Sequence, residues 1–211
     1  ATRSDDGQDK LRRISAQAGG HVGVTQFLRQ AIPDVIELTP PKYGDHRGFF
    51  SEVYKRSAFE AEHIRIDWMQ DNQSLSQTVG TVRGLHFQVP PVAQDKLIRV
   101  LRGAIYDVAL DIRKGSPTYG QHVGVTLSAQ KWNQLLVPVG FAHCFMTLEP
   151  DTEVLYKVNN PYSKEHERAI RWNDPALGIE WPAIEGEPTL SERDLEAPLF
   201  AEFDSPFTFE G

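Results

Sequence analysis

From about residue 31 to about residue 175, the chain never holds one pattern for long. Short β-type stretches alternate with turn signals roughly every ten residues, and "KLIRVLR", "AIYDVALDIR", "HVGVTLS", "QLLVPV", "HCFMTL" and "EVLYKV" are the clearest. Many short strands punctuated by Gly and Pro at this spacing indicate an antiparallel sandwich or barrel. The core begins near "IPDVIEL", and "RSAFEAEHI" (56–64) is the one convincing helix in the middle. Past "DPALGIEWP" the chain is Pro-rich and acidic, with "TLSERDLEAP" as a short helical turn. The expected fold is mainly β: an antiparallel jelly-roll barrel with short terminal helices and an N-terminal arm. Residues 1–30 are polar, carry Gly19, Gly20 and Gly23, and show only a weak helical pattern near "VTQFLRQ". They are expected to be a poorly ordered extension, and 31–211 a single jelly-roll domain with a C-terminal extension.

Length and charge narrow the function. A chain of 211 residues that is 40% hydrophobic can bury one substantial core. Its net charge of −7 disfavours nucleic acid and anionic membranes as partners, since both need a basic field, but leaves room for a local basic pocket. The single cysteine, Cys144, allows no internal disulfide and fits a reducing compartment. No apolar run approaches the roughly 18 residues of a membrane span, and no signal-peptide core opens the chain. A soluble, cytoplasmic protein is expected.

Period-two patterns locate a pocket. In "MQDNQSLSQ", Gln70, Asn72, Ser74 and Ser76 share one strand face. In "AIYDVALDIR" the row Val108, Leu110, Ile112 is apolar, while Asp107 and Asp111 lie on the other face. Tyr156 shares a face with Val154 and Val158, which buries its ring and aims its hydroxyl at a partner. In "TVRGLHFQVPP", Arg83 and His86 have opposite parity by count. Gly84 between them marks a bulge that would bring both side chains to one pocket.

A histidine on such a strand first suggests a metal ligand. Metal-binding barrels pair it with a second imidazole two residues on and a carboxylate downstream. Here Gln88 replaces the second imidazole and Lys96, of "QDKLIRV", introduces a cation that would repel a metal; only His143 of "PVGFAHCF" fits. The expected site holds no metal and no cofactor. The same residues suit carbanion chemistry on an anionic substrate. Proton abstraction beside a ketone needs a base that titrates near neutrality, as histidine does. The developing enolate needs a cation, a role open to Lys96, and the opposite face needs a separate acid such as a tyrosine. Arg83 and Arg47 suit phosphate oxygens.

The motifs "GDHRGFFSEVY", "QDNQSLS", "VRGLHFQVPPVAQDKLIRVLRGAIYDVALDIRKGSPTYG", "VPVGFAHCF", "EVLYKV" and "IRWNDPALGIEWP", in this order, resemble the dTDP-4-dehydrorhamnose 3,5-epimerase family, metal-free members of the cupin superfamily. The likeness runs from about residue 32 to "LSERD" near 194. It implies that the substrate is dTDP-4-dehydro-6-deoxy-D-glucose, a dTDP-4-keto-6-deoxy sugar. In that scheme His86 is the base at C3 and C5, Tyr156 the acid on the other face, Lys96 the enolate-stabilising cation and Asp194 the carboxylate behind the base. Asp174 is a rival to Asp194, disfavoured because an Asp before Pro belongs to a turn. The resemblance also implies substrate binding by Arg47, Glu52, Gln70, Asn72, Arg83, His143 and Glu167, stacking of thymine on Tyr162, and a contact from Arg193, where lysine is common. It further implies a homodimer in which a neighbouring subunit completes the site. Cys144 departs from the family's usual glycine, but alternation turns it away from His143. Alternatives are an epimerase acting at C3 or C5 alone and a non-catalytic sugar-nucleotide-binding barrel; the latter would not need His86, Lys96 and Tyr156 together.

Overall fold

The structure, a computed structural model, describes residues 23–210. In chain order the elements are β1 (Gln26–Arg29), β2 (Ile36–Thr39), β3 (Tyr43–Asp45), β4 (Gly48–Phe50), helix α1 (Arg56–Ala61), β5 (Gln70–Ser76), β6 (Val82–Gln88), β7 (Lys96–Arg102) and β8 (Ala104–Asp111). There follow β9 (His122–Ser128), β10 (Gln134–Val137), β11 (Phe141–Thr147), β12 (Thr152–Val158), β13 (Glu167–Ala169) and the one-turn helix α2 (Glu192–Leu195). Pro40–His63 belongs to one compact unit, and Phe27–Thr39 with residues 64–210 to another. In the smaller, β3 and β4 form a hairpin and Phe59 of α1 is buried, its ring 5.1 Å from that of Tyr54.

The larger unit is the expected jelly roll. Its six-stranded sheet runs β1-β2-β10-β7-β12-β5 and its five-stranded sheet β13-β6-β11-β8-β9, antiparallel from β2 to β5 in the first and throughout the second. Most of the expected 1–30 extension lies outside the described residues. Gln26–Arg29, where the sequence shows a weak helical pattern, is a strand. Four residues carry little helical preference of their own, and pairing on the edge of β2 satisfies their backbone.

Alternation sorts the side chains into two cores. Ile98 and Val100 of β7, Ile105 and Ala109 of β8, Phe141 and Phe145 of β11, and Val154 of β12 meet between the sheets, with Tyr156 packed against them. The opposite faces of β6, β8 and β11 are apolar too: Leu85, Phe87, Val108, Leu110, Ile112, Ala142, Cys144 and Met146 form a second core. The C-terminal segment covers it with Ile170, Leu177 and Phe207, flanked by Trp172, Trp181 and Phe203. Phe203 meets Phe87 edge-on at 5.0 Å, and Trp181 meets Tyr106 at 5.9 Å. Because this sheet is buried on both faces, the apolar row Val108–Leu110–Ile112 lies under the tail, and Asp107 and Asp111 belong to the inward row.

Two ties fix the part of the tail that matters for the site. Thr189 exchanges backbone hydrogen bonds with Gly80 and Val82, and Arg171 donates to the carbonyls of Pro198 and Ala197. Helix α2 sits between these anchors. Opposite it, β6 departs from a regular ladder: His86 pairs with His143 and Arg83 with Phe145, so three steps of β6 span two of β11. This bulge puts Arg83 and His86 on one face. Gly84 lies at its centre with φ of 129°, and an added Cβ would stand 2.4 Å from the His143 carbonyl oxygen and 2.6 Å from Cys144 Cα. Both are backbone atoms that cannot yield. Gly84→Ala should therefore destabilise by about 2 kcal/mol or more, lowering the melting midpoint by at least about 4 °C. An unchanged midpoint in a thermal melt would contradict the proposed need for glycine.

Candidate active site

The inward rows that build the core change character at one end of the barrel. There β7 supplies Lys96, β12 Tyr156, β11 His143 and β6 Arg83 and His86, around a cavity of about 380 Å³. The tail closes one side with Leu190, Ser191, Arg193 and Asp194. A smaller cavity of about 110 Å³ shares His86, Lys96 and Tyr156 and adds Asn72, Gln94, Tyr162 and Glu167.

His86, a quarter exposed, is tied by Nε2 to Asp194 Oδ1 at 2.5 Å. Asp194 is buried, and its other oxygen accepts the Ser191 hydroxyl at 2.8 Å. Ser191 in turn caps α2 by accepting from the Asp194 amide, so the helix start and the carboxylate rotamer are set together. Burial alone would raise the Asp194 carboxyl, but the bond to His86 and that ring's charge, with Ser191 and Arg193, hold it below its ordinary value. An ionised Asp194 can only accept, so the proton sits on Nε2 and is donated to it, which leaves Nδ1 as the lone-pair nitrogen of the neutral ring. Asp174 has a different task. It caps the turn Pro175–Leu177 through the Ala176 amide and accepts from Phe200 N at 2.7 Å.

Lys96 is buried, and its ammonium donates to the His86 carbonyl at 3.3 Å. Burial lowers its pKa to about 8, against the upward pull of Glu167 and Asp107. Tyr156 sits across the ladder from Asn72. Burial, then the negative charge of Glu167, pushes the phenol up, so it stays protonated well past neutral pH. His143, opposite His86 in register, has a carboxylate of its own: Nε2 lies 2.6 Å from Oδ1 of the fully buried Asp107.

The remaining expected residues fall into four groups. Arg83 is held by the Ser76 hydroxyl at 3.2 Å and the Leu75 carbonyl at 3.4 Å, with its guanidinium at the cavity. Glu167 Oε2 accepts from the exposed Tyr162 hydroxyl at 2.7 Å and from Arg193 at 2.5 Å. Burial would raise the Glu167 carboxyl, but these two donors keep it low. Gln70 donates to Asn72 at 2.6 Å. Arg47 and Glu52 belong to the smaller unit, where Arg47 pairs with Asp45 and Glu52 with Lys55.

Ser74, Ser191 and Asp107 are three site residues outside the sequence-derived set. The hydroxyl of Ser74 lines the cavity and has no hydrogen-bond partner among the described residues. Its signal was the polar row of β5. Asp107 was marked by lying opposite an apolar row. Gln88, where a metal barrel would put its second imidazole, spends its amide on the Val92 and Pro161 carbonyls and the Ser163 amide. Among the described residues no three His, Cys, Asp or Glu side chains gather closely enough to hold a metal ion. No helix among them is long and apolar enough to cross a membrane.

Fold and site together define a cupin-type jelly roll with an acid–base pocket between its sheets. Comparison with known proteins specifies which. The model of the dTDP-4-dehydrorhamnose 3,5-epimerase family matches residues 29–202. The dTDP-4-dehydrorhamnose 3,5-epimerase of Sinorhizobium fredii is 49% identical over 183 residues, covering 87% of this chain and 93% of that protein. A Bacillus anthracis enzyme of that name, solved with TDP and PPi bound, aligns with a TM-score of 0.81 at 47% identity, over 84% of this chain and all of the other. The Legionella pneumophila 3,5-epimerase in complex with dTDP-4-keto-L-rhamnose gives 0.84 at 39% identity, over 89% and 100%. The chain belongs to the dTDP-4-dehydrorhamnose 3,5-epimerase family.

The depressed Lys96 predicts a pH-dependent stability difference. Its pKa is about 8 when folded against an ordinary 10.5. Below pH 8 both states are protonated and the native state bears the full burial penalty; between about 8 and 10.5 the unfolded chain binds more protons, so unfolding becomes harder as pH rises. Lys96→Met should therefore be more stable than wild type at pH 7, by about 3 kcal/mol. That advantage should shrink towards zero by pH 10.5 in denaturant titrations. An equal advantage at both pH values would show that Lys96 does not titrate early.

Proposed function

We propose that this protein converts dTDP-4-dehydro-6-deoxy-D-glucose to dTDP-4-dehydro-L-rhamnose by inverting C3 and C5, with residues 31–211 acting as one cytoplasmic catalytic domain. The observation that carries this reading is that base and acid come from opposing walls. His86 stands on the five-stranded sheet with Nδ1 making no hydrogen bond among the described residues, and Tyr156 stands on the six-stranded sheet, both lining the same cavity. A ketone held between them can lose an α-proton to one side, become a flat enolate and regain a proton from the other, and that is inversion.

In this scheme His86 Nδ1 takes the proton from the carbon beside the C4 ketone, and the C–H electron pair moves through the new C=C bond onto the carbonyl oxygen. Asp194 stabilises the imidazolium that forms. The Lys96 ammonium offsets the charge on the enolate oxygen in a partly dry site, where such a contact is worth most. Tyr156 then delivers its proton to the opposite face, and both groups re-equilibrate with solvent before the second centre reacts. The sequence is redox-neutral and calls for no electron carrier. Arg83 is suited to the diphosphate. The exposed Tyr162 ring, tethered through Glu167 to Arg193, is suited to stacking on thymine. The reading predicts that His86→Ala lowers kcat by about 1,000-fold or more. Tyr156→Phe should still exchange substrate protons with solvent but fail to complete inversion. Normal turnover by Tyr156→Phe, followed by NMR of the product sugar, would remove the tyrosine from the role of acid.

We further infer a homodimer that completes the site. Tyr43, Phe49 and Phe50 of the hairpin are exposed, and this unit also carries Arg47 and Glu52. Apolar surface of that kind marks an association site. Sedimentation equilibrium should give twice the chain mass; a monomer at assay concentrations would contradict this.

A further inference from the structure

His143 and Asp107 form a second histidine–carboxylate pair that the scheme above does not use. Asp107 is fully buried, and its Oδ2 has no hydrogen-bond partner among the described residues. A buried carboxylate with one oxygen unpaired costs stability, so its retention needs a reason other than folding. Its other oxygen meets Nε2 of His143 at 2.6 Å, while the His143 ring lines the cavity and its Nδ1 makes no hydrogen bond within the described residues. The arrangement matches that of His86 directly across the ladder, where Nε2 is also on a carboxylate and Nδ1 also makes no hydrogen bond among the described residues. Cys144, next to His143, points into the outer core and contributes nothing to the pocket.

Resting on the epimerase reading, we infer that Asp107 is a positioning residue: it accepts a hydrogen bond from Nε2–H of His143, which keeps the proton on Nε2 and turns Nδ1 towards the cavity as a hydrogen-bond acceptor for a sugar hydroxyl. A lone-pair nitrogen cannot bind a phosphate oxygen, which offers no hydrogen. His143 therefore reads the sugar, and the diphosphate falls to the cationic side chains. This separates two substrate-contacting tasks that residue type alone leaves merged. Asp107 has a second neighbour in Lys96, whose ammonium its charge helps to keep protonated. A useful test must therefore report on the His143 ring itself.

Nitrogen-15 histidine spectra of the full-length protein provide it, with His143→Gln identifying the signal. In wild type, Nε2 should carry the proton and Nδ1 should show the shift of an unprotonated ring nitrogen. In Asp107→Asn the carboxamide N–H donates to Nε2, so the proton should move to Nδ1. The kcat/KM for the sugar nucleotide should then fall on the order of 100-fold. Affinity for dTDP, which lacks the sugar, should stay unchanged. A wild-type His143 protonated at Nδ1, or a loss of dTDP affinity in Asp107→Asn, would overturn the assignment. An active-site titration without any epimerisation by wild type would instead remove the epimerase reading, and the nitrogen spectrum would still decide the tautomer.

Discussion

The hydrogen bond between His86 and Asp194 joins residues 108 positions apart in the chain, and much of the molecule is arranged so that it can form. His86 reaches the cavity because β6 is bulged at Gly84. Asp194 reaches His86 because the tail is pinned at Thr189 and at Pro198, and because Ser191 caps the single turn of helix between those anchors. The tail holds its course because it has an apolar surface to cover: the outer face of the five-stranded sheet, with Trp172, Trp181, Phe203 and Phe207 against it. The second core is thus a structural condition for the chemistry of the first. A short jelly roll with a polar outer face would place His86 in the cavity but give it no fixed partner.

The pocket is also where the fold gives up stability. Lys96 and Asp107 are charged groups placed in a protein interior; the Lys96 ammonium donates to the His86 carbonyl, and one Asp107 oxygen has no hydrogen-bond partner among the described residues. Each partly offsets the other, since the carboxylate pulls the lysine up against the burial that lowers it. Such incomplete pairing makes little sense for folding, where apolar residues of similar volume would serve better. It suits the proposed reaction, in which the site meets a negative charge that appears only during turnover. Tyr156 shows the complementary case: burial raises the phenol and so keeps its proton in place at neutral pH, as the proposed role of acid requires.

Local physics made a good part of this legible. Period-two rows and turn spacing led to the barrel, and the opposite parity of Arg83 and His86 around a glycine led to the bulge. The polar row of β5 pointed to the pocket wall, although Ser74 drew no special notice. What lay beyond local reading was long-range. No periodic pattern links the aromatic residues of the tail, so nothing in the chain shows that they cover a sheet. Nor does any spacing pair Asp194 with His86 or Asp107 with His143; the first pairing came through family resemblance and the second only from coordinates. At Gln26–Arg29 four residues were too few for propensity to outweigh a strand edge. Arg47 and Glu52 were legible as motif residues, yet within one chain they pair with Asp45 and Lys55.

The central claim is that a proton leaves one face of the sugar and a solvent-derived proton arrives on the other, at two carbons flanking one ketone. Turnover of dTDP-4-keto-6-deoxyglucose in heavy water measures this most directly, with the label located in the product by NMR. Deuterium at both C3 and C5, with L-configured product, is the predicted result. Label at one carbon alone would contradict double inversion, and tight binding without any exchange would contradict catalysis by His86 altogether.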